Sequence, residues 1–224
     1  MKNKILEIKN LNKKFKHIVA LENINLEIYE GETLGIVGPS GGGKSTFGKI
    51  LLMLLQPDSG EIIYKKRNIL KLKEKEKFEV RKEIQMVLQD PYLSLNPSKR
   101  IGWHLEEPLK ILNWNSEDRK MHILKMLKKV GLTEEYLDKY PRELSGGQRQ
   151  RVLILTSLLL NPKVIVLDES VSALDISVQA QILNLLQDLQ AELKLTYIFI
   201  SHDISVVNYM CDRIIELKNG KIIS

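Results

Sequence analysis

Apolar and polar residues alternate in short β-type runs at Leu6-Glu7-Ile8, Ile24-Asn25-Leu26-Glu27-Ile28 and Thr33-Leu34-Gly35-Ile36-Val37, with Glu30 and Gly31 supplying a turn before the third. That third run leads into a glycine-rich loop. Beyond the loop, Phe47 and Ile50-Leu51-Leu52-Met53-Leu54-Leu55 predict a buried helix, stopped by Pro57-Asp58-Ser59-Gly60. From about Pro91 to Leu160 the pattern turns helical, with Ser116-Glu117-Asp118 opening a segment that places Met121, Leu124 and Leu127 on one face. A strand follows at Val164-Ile165-Val166-Leu167. Next come a helix with Val178, Ile182, Leu185, Leu186, Leu189 and Leu193 in register, and a strand at Tyr197-Ile198-Phe199-Ile200. Strands alternating with helices predict an α/β fold around a parallel sheet. We expect one domain over 1–224, with a core formed by 1–89 and 161–224 and an inserted helical subdomain over 90–160.

The length of 224 residues suits one sizeable core with such an insertion. Among apolar stretches the longest, Val152 to Leu160 with Thr156 and Ser157 inside it, is well short of the roughly 18 residues needed to span a bilayer. It reads as a buried segment. The basic N-terminus has no apolar run behind it, so no secretory signal is expected, and the chain reads as cytoplasmic. Cys211 stands alone, which excludes an internal disulfide or a cysteine-built metal site and fits a packed small hydrophobe in a reducing compartment. A net charge of +6 raises the question of nucleic acid. The basic stretch from Lys65 to Lys82 is interleaved with Glu74, Glu76, Glu79 and Glu83, which reads as a solvated face and argues against a phosphate-tracking stripe.

Three segments carry chemistry. Gly38-Pro39-Ser40-Gly41-Gly42-Gly43-Lys44-Ser45, followed by Thr46, matches G-x-x-x-x-G-K-[ST] between a strand and a helix. Its glycines let backbone N–H groups turn onto phosphate oxygens, Lys44 adds charge at the β/γ-phosphates, and the Ser45 hydroxyl can ligate Mg²⁺. The apolar strand Val164 to Leu167 ends in Asp168-Glu169. At the end of a central parallel strand Asp168 would lie beside the loop and hold Mg²⁺, and Glu169 would polarise an attacking water. The third segment is Leu144-Ser145-Gly146-Gly147-Gln148, where a serine and two glycines at a helix start form an anion site.

That last segment, continued by Arg149-Gln150-Arg151, resembles the signature motif of ABC ATPases. The resemblance covers essentially the whole chain. It implies a P-loop NTPase fold of the ABC type, with a mostly parallel RecA-like core sheet, antiparallel N-terminal strands and an α-helical subdomain carrying the signature. It further implies ATP and Mg²⁺ as ligands, and a dimer in which Ser145, Gly146, Gly147 and Gln148 cap the γ-phosphate of ATP held by the opposing subunit. Gln89 matches the Q-loop glutamine that touches Mg²⁺ or the water, and His202 matches the switch histidine at the γ-phosphate. Asp175, in Ser172-Ala173-Leu174-Asp175, matches the D-loop. Phe15 stands where the family places an aromatic against adenine, a core phenylalanine being the other reading. His17, His104 and His122 lack ligand-like spacing and read as structural or exposed.

Three stretches resemble the peptide and nickel importer branch: Gly38 to Gly41, Gln89-Asp90-Pro91-Tyr92-Leu93-Ser94-Leu95-Asn96-Pro97, and Val171 to Leu186. In that branch two ATPase subunits usually pair beneath two permease subunits on the cytoplasmic face of the membrane, and a solute-binding protein delivers the cargo. The chain is similar to the second of those ATPase subunits, so a mixed dimer is expected, with a homodimer as the alternative. Departures fall at Ser170, where proline or alanine is common, at Gly43, often a cysteine, and at Thr156-Ser157, usually Arg-Ala. Peptide-importer ATPases usually continue past this point into a tail, which here is either missing or removed, and that leaves room for the shorter nickel-type subunits. A soluble ABC ATPase acting on nucleic acid or the ribosome is the competing class; it usually has two cassettes or a coiled-coil insertion, neither seen here.

Overall fold

The structure, a computed structural model, describes residues 3–88, 94–172 and 174–223. In chain order the elements begin with β1 (Lys4–Phe15), β2 (Ile18–Tyr29), β3 (Thr33–Val37), α1 (Lys44–Leu51), β4 (Ser59–Tyr64), β5 (Arg67–Asn68), α2 (Glu74–Glu83) and β6 (Ile84–Val87). The helices α3 (Ile101–Ile111), α4 (Ser116–Lys129) and α5 (Gly146–Leu158) follow. The chain closes with β7 (Val164–Asp168), α6 (Ile176–Leu193), β8 (Thr196–Ile200), α7 (Ile204–Met210), β9 (Arg213–Lys218) and β10 (Lys221–Ile222).

Packing divides these elements into two compact units. The first comprises 1–86, 163–169 and 194–224; the second comprises 87–162 and 170–193. Residues 170–193, which periodicity assigns to the core, group with the second unit, where α6 packs against α5.

Two sheets build the first unit. An antiparallel sheet in the order β2-β1-β4-β5 covers the N-terminal strands, and a mostly parallel sheet runs β10-β9-β3-β8-β7-β6. β7 and β8 are buried along their whole length, as expected of apolar strands covered on both faces. Register places Ile36 of β3 opposite Ile200 of β8, and Ile200 opposite Asp168 of β7. The carboxyl ends of these three strands therefore lie level, in the place where open α/β sheets take their ligands.

Two helical readings are corrected. The helix predicted to run on through Leu55 ends at Leu51. Met53 takes a left-handed backbone with φ 54°, Leu54 N–H donates to Lys49 O, and Leu54 is 64% exposed. This is a Schellman stop, with methionine in the place glycine usually fills. In α4 the buried stripe is Ile123, Met126 and Leu127, while Met121 is 64% exposed. The i, i+3, i+4 spacing from Ile123 outcompetes the face chosen from Met121. The segment read as a helix stop, Ser59-Gly60, instead opens β4, an element absent from the sequence reading. Gly60 lies so close to β1 that an added Cβ would fall 2.6 Å from Asn10 O.

Candidate functional site

The glycine loop leaves the carboxyl end of β3 and is threaded between neighbouring backbones. Gly38 has φ +146° and Gly43 φ +105°, a region that side chains rarely adopt. A Cβ on Gly38 would stand 2.0 Å from Leu217 O, and one on Gly43 would stand 2.2 Å from Ala20 O. Only glycine fits at either place. The first turn of α1 has neither a side-chain cap nor an acid, so its N–H groups are left for an anion. Lys44 is 6% exposed, and its ammonium donates to Gly38 O at 2.7 Å and Pro39 O at 3.0 Å. Among the described residues, two of its three N–H groups thus brace the lysine across the loop, leaving the third for a ligand.

At the end of β7, Asp168 is 6% exposed and accepts a hydrogen bond from the Ser45 hydroxyl at 3.3 Å. Burial pushes its carboxyl above the usual range, opposed by the Ser45 hydrogen bond. Glu169 follows with φ +46°, its N–H donating to Ile200 O at 2.9 Å. A non-glycine residue held in this conformation is strained, and strain of this kind clusters at functional sites. The turn aims the carboxylate at His202, whose Nδ1 lies 3.3 Å from Oε1 of Glu169. His202 itself sits just past the end of β8, ahead of Asp203, which caps α7 through the N–H groups of Ser205 and Val206. The loop residues Lys44 and Ser45, the pair Asp168 and Glu169, and His202 therefore converge within one unit. Phe15 belongs to the same unit, at the end of β1, 42% exposed with the Lys13 ammonium 5.3 Å from its ring centre.

The signature residues lie in the second unit. Ser145 is the N-cap of α5 in a reciprocal capping box: its hydroxyl accepts from Gln148 N–H at 3.3 Å, and its own N–H donates to Gln148 Oε1 at 2.9 Å. Gln148 also donates from Nε2 to the Tyr136 hydroxyl at 3.0 Å, a support no sequence signal marks. The first turn of α5 contains no acid, so a 13-residue helix presents an exposed serine at its N-terminus. Asp175 caps α6, accepting from Val178 N–H at 3.0 Å and the Ser177 hydroxyl at 2.8 Å. Those donors hold its carboxyl below the usual range. Gln89 lies outside the described residues. His104 and His122 have ring nitrogens within hydrogen-bonding distance of the Asn96 and Leu159 carbonyls, and His17 is exposed.

A family model described as ABC transporter matches residues 21–172. The chain is 48% identical over 217 residues to the dipeptide transport ATP-binding protein DppF of Haemophilus influenzae, covering 96% of this chain and 66% of that protein. It is 44% identical over 227 residues to the oligopeptide transport ATP-binding protein OppF of Streptococcus mutans, covering 98% and 74%. The chain spans 66% and 62% of the length of the DppF proteins of Haemophilus influenzae and Escherichia coli. Among solved structures, cbiO1 from Clostridium perfringens, part of the ABC transporter complex cbiONQ, superposes with a TM-score of 0.91 at 32% identity, covering all of this chain and 88% of that one. A dimeric post-hydrolysis state of the ATP-binding cassette MJ0796 bound to ADP and Pi superposes with a TM-score of 0.86 at 36% identity, covering 98% and 97%. The family model matches more than half of this chain and these relatives cover nearly all of it, so the chain belongs to the ABC transporter family.

Proposed function

We propose that this chain hydrolyses ATP to ADP and phosphate and couples that reaction to the import of peptides through a membrane permease. The observation that supports the catalytic reading is the level alignment of β3, β7 and β8, which gathers Lys44, Ser45, Asp168, Glu169 and His202 at one edge. The loop amides and the remaining N–H of Lys44 would hold the phosphates. A water oxygen attacks the γ-phosphorus, the bond to the ADP oxygen breaks, and the water gives up a proton. Glu169 orients and polarises that water, and His202 keeps the carboxylate aimed. Catalysis of this kind is mostly positioning and charge stabilisation. The hydroxyl of Ser45 and the carboxylate of Asp168, 3.3 Å apart, are the hard oxygen donors that suit Mg²⁺. Bound there, with Gln89 as a third candidate ligand, Mg²⁺ would neutralise phosphate charge.

Ser145 to Gln148 would close on ATP held by a second ATPase subunit, so each complete site draws on two chains. Peptide as cargo rests on relatives named for dipeptide and oligopeptide transport; nickel remains the alternative from the branch resemblance. Among the described residues no helix is long and apolar enough to cross a membrane, which suits a subunit lying against permease partners at the cytoplasmic face, with a solute-binding protein delivering cargo. The nucleic-acid reading is disfavoured by the pairing of its basic stretch, where Lys65 meets Glu83, Arg67 meets Glu76, Lys77 meets Glu74 and Lys82 meets Glu79. Glu169→Gln tests the mechanism. It should still bind ATP and accumulate an ATP-dependent dimer on gel filtration, while phosphate release falls on the order of a hundredfold or more. Turnover equal to the wild type would remove Glu169 from the reaction.

A further inference from the structure

The end of β1 that bears Phe15 runs beyond its neighbour. Pairing between β1 and β4 stops at Asn12 and Ser59, and the β1–β2 register shifts between Leu11 and Lys13 and again between Lys13 and Lys14. Lys13 to Phe15 thus lack a ladder partner on the β4 side. Asp58, the residue just before β4, fills that role. Its N–H donates to Asn12 O at 2.9 Å, and its carboxylate accepts from the Lys14 N–H at 2.6 Å and from the Lys13 ammonium at 2.9 Å. The Lys13 side chain is only 14% exposed, and its ammonium also sits 5.3 Å from the centre of the Phe15 ring. One carboxylate therefore ties down the strand that bears the ring and the cation that lies against it.

We infer that Asp58 and Lys13 are positioning residues for the base of the nucleotide, holding Phe15 in the orientation from which it stacks on a purine. This rests on the reading that Phe15 is the adenine platform. Charge-assisted hydrogen bonds are shorter and roughly twice as strong as neutral ones, and Asp58 makes one to a backbone amide and one to an ammonium. Strand height and ring tilt are thereby set together. The cation against the ring adds an attraction that further restricts the ring. Those two donors also hold the Asp58 carboxyl below the usual carboxylate range, so it is ionised at neutral pH.

The experiment titrates the full chain with Mg·ATP and, separately, with magnesium tripolyphosphate, which has the phosphates without the base. Phe15→Ala should weaken ATP about tenfold and leave tripolyphosphate unchanged, the size expected of a lost base stack. Asp58→Ala and Lys13→Met should each weaken ATP roughly threefold to fivefold without moving tripolyphosphate. Neither should add anything in the Phe15→Ala background, because residues acting through one ring are not additive. Unchanged tripolyphosphate binding also reports that each variant has folded with its loop intact. If Phe15→Ala leaves ATP binding untouched, the platform reading falls and this inference falls with it. Full ATP affinity in Asp58→Ala and Lys13→Met while Phe15→Ala loses it, or losses that add to that of Phe15→Ala, would overturn the positioning role alone. So would equal losses for ATP and tripolyphosphate.

Discussion

The thiol of Cys211 lies against β3, where a Cβ built on Gly35 would come within 2.9 Å of its sulfur. This is the packed small hydrophobe expected of a lone cysteine. Burial, helped by the neighbouring Asp212 carboxylate, pushes the thiol up to about 12 from an ordinary value of 9.0. The sign follows from linkage. A thiol whose pKa is raised by folding contributes fully below the unfolded value, and its contribution is lost as the pH climbs from 9.0 toward 12. At pH 8 the thiolate is the reactive form, so a maleimide or iodoacetamide should label folded Cys211 on the order of a hundredfold to a thousandfold more slowly than the unfolded chain. Equal rates for the native and urea-unfolded chain, followed by mass spectrometry, would show the thiol to be open. Glu169 makes the complementary point about strain. Its left-handed backbone aims a carboxylate that no local preference would place there, and the Ile200 carbonyl holds it.

At the scale of elements, α5 meets α6 through a glycine. A Cβ on Gly147 would fall 2.5 Å from Cγ1 of Val178, a branched side chain with little room to turn away. Two effects compete in Gly147→Ala: alanine gains about 1 kcal/mol of helix propensity, while overpacking costs about 1–3 kcal/mol. The clash should win, lowering the chain's melting temperature. Val178→Ala combined with it should restore most of the loss, and a double variant no more stable than Gly147→Ala would show that the contact is not the cause. The signature segment was legible in the sequence because its glycines and serine do local work. So was the phosphate loop, whose backbone angles exclude most side chains, and so were β7 and β8, whose unbroken apolar runs fit strands buried on both faces. Other features needed tertiary packing to decide them. Met53 ends α1 in a conformation that composition does not announce, and Met121 yields the buried face of α4 to Ile123 and Met126. Family resemblance marks Asp175 only as a D-loop position, while its hydrogen bonds make it the cap of α6. Gln148 leans on Tyr136, which is twelve residues away and carries no mark of its own.

At the scale of the whole molecule, the phosphate loop belongs to one compact unit and the Ser145 cap to the other, and the proposed reaction asks each to serve a different ATP. A pair of chains related by a two-fold axis would form two composite sites, each made of one chain's loop and the other chain's cap. Lys44→Ala disables every site in which a chain supplies the loop, and Ser145→Arg disables every site in which it supplies the cap. Pairs of like chains are then dead in both sites. A mixed pair is different: one site combines both defects, and the other combines an intact loop with an intact cap. Random pairing of equal amounts makes half of the pairs mixed, each with one of its two sites restored, so phosphate release should return to about a quarter of the wild-type rate. The measurement is ATPase activity of each variant alone and of the mixture, at concentrations where Glu169→Gln forms its ATP-dependent dimer. Activity that stays absent on mixing, while the Ser145→Arg chain still binds ATP, would mean that loop and cap do not meet across two copies of this chain, and the shared-site arrangement would be lost for the self-pair.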